Sequence, residues 1–218
     1  DTRLIIEGNE NNSIGDDFTL KFKIYIEPNY TDSSARKPQT IISSDKWSIY
    51  FNDERGLGYE ITYSEGENIL LRRDLTEGVI YDIAVVSIDG VIRLFVDGQV
   101  AETAEGREPL RGSAGDIVIG GSKDREFKGF IQELLFYKNI GLYSSGYSPN
   151  SGFATICKQE IDVDCDHVML HLQLQKAERK IYDKSGKNSK IVKSYNIEMD
   201  QYDSRYNDAS ISFREVPI

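Results

Sequence analysis

The side chains best suited to chemistry crowd into one short stretch. Asp162, Asp164 and Asp166 alternate there, and clustered carboxylates are what a hard cation such as Ca²⁺ takes. The match to a calcium loop fails at two positions, since His167 stands where its glycine belongs and Gln173 where its glutamate belongs. His167 and His171 are the only histidines, and a spacing of four would suit zinc on a helix. The Leu170-His-Leu-Gln-Leu174 alternation reads instead as a strand, which sets the two rings about 13 Å apart and rules out a shared metal. Cys157 and Cys165 flank the same acidic run, a separation that a turn closes into a disulfide in an oxidising compartment. No serine lies in a nucleophile elbow, and Gly56-Leu57-Gly58 lacks the third glycine of a dinucleotide loop and reads as a turn. Neither a zinc enzyme nor a nucleophile triad is supported.

Composition limits what such residues can serve. The 218-residue chain carries a net charge of −10, the wrong sign for neutralising phosphates, so the chain as a whole is not expected to partner nucleic acid. Hydrophobic residues make up 39% and aromatics 11%, enough to build a core. No apolar run approaches the length of about 18 residues that a membrane helix needs, so no membrane insertion is expected. No charged-then-apolar signal segment opens the chain, and Asp1 reads as a cut or processed end. Residues 1–150 hold 16 basic and 25 acidic side chains, against 10 and 11 in 151–218. Within the latter, Gln175 to Lys193 is locally basic, read first as a solvated loop docking on the acidic body and second as a patch for an anionic polymer.

The elements that must position these residues are strands. Phe18 to Ile26 alternates, with Phe18, Leu20, Phe22, Ile24 and Ile26 on one face and Thr19, Lys21, Lys23 and Tyr25 on the other. Trp47 to Phe51 and Tyr59 to Tyr63 are short aromatic and β-branched runs. Ile80 to Ile88 and Val91 to Val96 flank Asp89-Gly90, a two-residue hairpin turn, and Asp97-Gly98 follows eight residues later. Ile117 to Ile119 ends in Gly120-Gly121, and Phe130 to Tyr137 is a further apolar run. No helical stripe is sustained anywhere. The expected class is an all-β antiparallel sandwich.

The order of these pieces resembles a family. The runs F-T-L-K-F (Phe18 to Phe22), I-I-S-S-D-K-W-S-I (Ile41 to Ile49), Y-D-I-A-V-V (Tyr81 to Val86), I-R-L-F-V-D-G (Ile92 to Gly98), I-V-I-G-G (Ile117 to Gly121) and F-K-G-F-I-Q-E-L-L-F-Y (Phe127 to Tyr137) are similar to those of a laminin-G-like domain. The resemblance implies a jelly-roll β-sandwich of the concanavalin A-like lectin and glucanase superfamily. Leu142 to Pro149 resembles the tail of such modules in phage tail fibres and other virion or secreted adhesive proteins. Lys21 and Lys23 stand where that family usually has an acid and a Trp, which puts one solvent face of their strand in doubt. Trp47 and Tyr81 match positions used for core packing.

The expected division is a laminin-G-like sandwich at 1–150, an acidic connector at 151–166 and a β segment at 167–218. In the family a domain opens with a strand, a turn and a second strand resembling Val168 to Leu174, Tyr182 to Gly186 and Ala209 to Phe213, yet here they come last. They would complete this sandwich by circular permutation, complete a neighbouring subunit's, or begin a truncated second domain. The first is favoured, because unpaired sheet edges invite aggregation.

The resemblance implies a non-enzymatic recognition module, with a glycan or a cell-surface or virion protein as partner and an extracellular or virion location. Sugar binding needs aromatic faces, and Tyr25, Tyr59, Tyr63, Tyr143 and Tyr147 are the candidates. Family members often hold Ca²⁺ on a sandwich rim, so Asp53, Glu54 and Asp124 compete with Asp162, Asp164 and Asp166 as the place of a calcium cofactor. Glu160-Ile-Asp-Val-Asp164 resembles the alternating carboxylate strand of laminarinase-like glycosidases that share the fold. Its last residue is Asp rather than Glu and it follows the closing strand, so hydrolysis ranks low. The alternative to a lectin is a purely structural virion or filament module, a homo-oligomer built through its terminal strands.

Overall fold

The computed structural model describes residues 3–8, 15–28, 38–52, 56–62, 68–105, 115–121, 125, 127–149, 167–175, 180–183, 191–195, 198–200 and 210–213. Every element among them is a strand. In chain order these are β1 (Arg3–Ile6), β2 (Phe18–Ile26), β3 (Gln39–Ser43), β4 (Trp47–Asn52), β5 (Gly56–Thr62), β6 (Asn68–Arg73), β7 (Ile80–Ile88) and β8 (Val91–Val96). There follow β9 (Gln99–Glu105), β10 (Ile117–Ile119), β11 (Gly129–Lys138), β12 (Val168–Gln175), β13 (Lys180–Asp183), β14 (Ile191–Tyr195), β15 (Glu198–Asp200) and β16 (Ser210–Phe213). They form two antiparallel sheets. One runs β14-β1-β10-β3-β4-β5-β6, and the other β13-β12-β11-β2-β7-β8-β9, with β16 and β15 added beside β11.

The alternation of β2 sets the layering. Its Phe18, Leu20, Phe22, Ile24 and Ile26 point inward and meet Leu4, Ile6, Trp47, Ile49, Phe51, Ile83, Val85 and Phe136 between the sheets. Trp47 and Phe136 meet edge to face at 5.9 Å. Such burial, roughly 25 cal/mol for each Å² of apolar surface, is the main force closing the sandwich. At one side β9 and β6 are joined by a hydrogen bond from the Arg72 amide to the Glu102 carboxylate.

The hairpin β7–β8 has the register Ile88↔Val91 around Asp89 (φ 50°) and Gly90 (φ 75°), and Asp97 (φ 51°) and Gly98 (φ 77°) repeat the geometry between β8 and β9. Positive φ at both turn residues is the reason Asp-Gly occurs at each. A bulge at Gln132 to Leu135 places one extra residue of β11 against Lys21 to Lys23, with Glu133 in the left-handed region.

Two expectations are corrected. Gly56-Leu57-Gly58 is no turn but the start of β5, paired with Asn52, Phe51 and Tyr50. The Tyr50 ring lies across the second glycine, where a Cβ would fall 2.6 Å from Tyr50 Cζ and push the ring aside. The basic stretch from Gln175 to Lys193 is likewise no mere loop, since it contains β13 and reaches into β14, whose Lys193 pairs with Ile5.

The late strands pair with early ones. β12 and β16 pair end to end along one edge of β11, and β14 pairs with β1. Met169, Leu170 and Leu172 of β12 are buried in the same core as β2.

Candidate functional site

The outward face of the nine-stranded sheet departs from a simple solvent face. Thr19 and Lys21 belong to the polar side of the β2 alternation, yet they are 0% and 2% exposed. They are covered because residues 140–149, a strap without strand pairing over most of its length, cross that face. At one end Ile140 and Leu142 pack on Leu135, Tyr137 and Val168. The Thr19 hydroxyl donates to the Ile140 carbonyl at 3.2 Å and accepts from the Leu142 amide at 2.9 Å, which satisfies a buried polar group with the strap backbone. At the other end Tyr143 and Tyr147 pack with Ile88 on Ala84, Val86 and Phe95. There the Tyr147 amide donates to the Gly98 carbonyl at 2.9 Å, and Gly146 bridges to Gln99. A side chain at Gly98 would overlap the Tyr147 carbonyl, so the second Asp-Gly turn serves both the hairpin and the strap.

Beneath the tyrosines lies a buried charged pair. Lys21 and Asp82 sit diagonally on neighbouring strands, since Lys21 is opposite Ala84 and Asp82 opposite Lys23. Their Nζ and Oδ2 atoms are 3.7 Å apart. Asp82 is 4% exposed. Its Oδ1 accepts the Tyr147 hydroxyl proton in a hydrogen bond. Its backbone is held on both sides by Asp97, whose carboxylate accepts from the Asp82 amide at 2.9 Å and whose amide donates to the Asp82 carbonyl at 2.8 Å. The Lys21 ammonium stands 4.3 Å from the Tyr147 ring centroid and 5.8 Å from that of Tyr143. The two tyrosine rings stack at 4.3 Å with 27° between planes, and Phe95 packs against both.

Burial governs the ionisation of this cluster. It lowers Lys21 below the usual lysine value, opposed by the Asp82 charge. It raises Asp82, with the Tyr147 hydrogen bond and the Lys21 charge pulling back. Tyr143 is raised by burial and by the nearby Asp82 charge. Tyr147 is raised far above the ordinary phenol, by burial first and by its bond to the Asp82 carboxylate second.

Of the five tyrosines singled out in the sequence, the structure brings together two, Tyr143 and Tyr147. Tyr25 lies on the same sheet face with its ring 5.4 Å from Phe130, four residues and about 13 Å along β2 from Lys21. Tyr59 belongs to β5 of the other sheet, opposite Ile49 and Leu71 in the ladder. Tyr63, Cys157, Glu160, Asp162, Asp164, Cys165 and Asp166 lie outside the described residues, as do Asp53, Glu54 and Asp124. Among the described residues no cluster of His, Cys, Asp and Glu could hold a metal. His167 directs Nδ1 to the Lys138 carbonyl at 3.1 Å.

Lys21, Asp82 and Phe95 were not candidates from the sequence. The available signal was Asp82, one acid inside the otherwise apolar run Ile80 to Val86.

Two face-packed antiparallel sheets of this topology define a lectin-type jelly-roll sandwich. Residues 4–140 match the laminin G model of the concanavalin A-like lectin/glucanases superfamily, and the chain belongs to that superfamily. Similar solved structures include a putative carbohydrate binding protein from Bacteroides ovatus, at 17% identity and TM-score 0.53, covering 85% of this chain and 56% of that one. The botulinum neurotoxin serotype D binding domain is similar at 17% identity and TM-score 0.50, covering 67% of this chain and 38% of that one. At these identities the likeness is one of fold, and the chain spans little more than half of the first protein and less than two fifths of the second. No curated protein matches. No helix among the described residues is long and apolar enough to cross a membrane.

Proposed function

We propose that the chain is a non-enzymatic recognition module that binds carbohydrate in a secreted, cell-surface or virion assembly. The observation that carries this reading is the stacked, half-buried Tyr143–Tyr147 pair fixed on an outward sheet face beside Lys21 and Asp82. A flat aromatic ring offers the C–H packing a sugar needs, and the adjoining exposed strap residues Ser144 and Ser145 offer hydroxyls for hydrogen bonds, the charged pair beneath being buried. Tyr143 is the stacking ring in this reading and Tyr147 its support, since the Tyr147 hydroxyl is committed to Asp82. The superfamily assignment and the carbohydrate-binding description of the Bacteroides ovatus protein agree with it.

The test is a glycan-array screen of the full chain with calcium and with chelator. Saturable binding lost in Tyr143→Ala supports the site, and chelator sensitivity adds a calcium ion, with Asp162, Asp164 and Asp166 the first ligands to mutate. Silence from correctly folded protein overturns the reading. Intact mass before and after reduction tests the Cys157–Cys165 disulfide, which an extracellular setting favours.

A second reading, a structural assembly module, is favoured by one observation. The core is completed by strands beyond the family's matched span, notably Met169, Leu170 and Leu172 of β12. A neighbouring copy supplying those strands would link subunits. A dilute monomer with one cooperative transition excludes that, and a concentration-dependent ladder of oligomers establishes it.

A further inference from the structure

The strap is fastened differently at its two ends. Around Leu142 the contacts are apolar packing and the Thr19 hydroxyl. At the tyrosine end the sheet offers Ala84, Val86 and Phe95, a surface that apolar residues at positions 21 and 82 would extend. It carries instead a lysine and an aspartate, 2% and 4% exposed. Burying two charges is costly, and replacing a buried ion pair by apolar groups of similar volume is often neutral or stabilising, so fold stability alone does not account for the pair. What Lys21 and Asp82 add is orientation. Asp82, its backbone clamped to Asp97, supplies a fixed acceptor for the Tyr147 hydroxyl, and Lys21 presents its ammonium to the Tyr147 ring.

Resting on the reading of the tyrosine pair as a sugar-stacking surface, we infer that Lys21 and Asp82 are its positioning residues. They latch Tyr147, and through the stack Tyr143, in the arrangement that meets the ligand. The recognition unit therefore runs to Pro149, past the residues 4–140 that the family shares.

The experiment compares the full wild-type chain with the double variant Lys21→Met/Asp82→Leu, which removes the latch while leaving an apolar surface. Three quantities are read: the urea midpoint, hydrogen exchange of the amides from Leu142 to Ser148, and affinity for the oligosaccharide most strongly retained on the array. The expected result is an unchanged midpoint, exchange faster by about tenfold to a hundredfold, and affinity weakened to the level of Tyr143→Ala. Exchange that stays slow, or binding that stays intact while the strap is loosened, overturns the inference and leaves the recognition reading standing. Faster exchange in a protein whose wild type binds nothing on the array upholds the latch and removes the recognition reading. Should the double variant fail to fold, Tyr147→Phe keeps ring and charges and deletes only the hydroxyl. Strap exchange faster by about tenfold then supports the latch, and unchanged exchange sinks it.

Discussion

The two faces of the nine-stranded sheet are built on opposite plans. The inner face, among the described residues, is mainly apolar, and Phe18, Leu20, Phe22, Ile83, Val85 and Phe136 share one core in which each contact has neighbours of the same kind. The outer face mixes Ala84, Val86 and Phe95 with Thr19, Lys21 and Asp82, and these three polar side chains are held by directed contacts to the strap or the adjacent strand. A face held by apolar area tolerates exchange of shape for shape, whereas a face held by directed contacts fails at single atoms. The first plan gives a sandwich; the second gives a defined position to a few side chains.

The contrast breaks hardest at the inner face. Phe136→Ala removes a ring that meets both Trp47 and Phe18, and unfolding free energy should fall by about 3–5 kcal/mol with every probe of structure lost together. Next comes Lys21→Met alone, which leaves Asp82 buried without its cation. The 3.7 Å separation places the expected loss at about 3 kcal/mol, the low end for breaking a buried pair, and urea unfolding measures it. If that loss matched the double variant's, the pair would be acting only as hydrophobic volume.

Alkali offers a finer cut. Tyr147 has its pKa raised in the fold, so above about pH 10 the unfolded chain releases a proton that the folded chain retains, and stability falls as pH rises. Lys21 acts oppositely but only below its ordinary value of 10.5, where the unfolded chain binds the proton more tightly. Above that value the tyrosines dominate the cluster. Urea midpoints between about pH 10.5 and 11.5 should fall less steeply in Tyr147→Phe than in wild type, and equal slopes would deny the buried phenol its role. The smallest effect is expected on the other sheet. Gly58→Ala pushes on the far edge of the Tyr50 ring, which swings outward at a cost below about 1 kcal/mol. A loss several times larger would mean that the outer face of that sheet is as narrowly specified as the strap's.

Much of the sandwich was legible because its signals are local. Alternation in β2 and the Asp-Gly pairs around β8 depend on side-chain period and backbone φ, both written into adjacent residues. The strap was not legible in this way. Ser144, Ser145, Gly146 and Pro149 carry loop chemistry with no period, and its docking surface comes from β7, β8, β11 and β12, far away in the chain. Lys21 shows the same limit from the other side. Alternation assigns it to solvent, and only the tertiary placement of the strap turns that assignment into burial. Gly58 was misread because a glycine covered by a neighbour's ring looks, in sequence, like one demanded by a turn. Tyr143 and Tyr147 were found from residue type, but the charged pair beneath them is a diagonal contact between strands whose pairing had first to be known.

The strap also has a use in measurement. Ser144 and Ser145 stand exposed between two anchored tyrosines, carried by a backbone tied down at Thr19 on one side and Gly98 on the other. An environment-sensitive fluorophore attached at Ser145→Cys would ride on the segment without touching the core. Its emission would report occupancy of the tyrosine surface as it happens, making the module a reagentless sensor for any sugar that the proposed site takes.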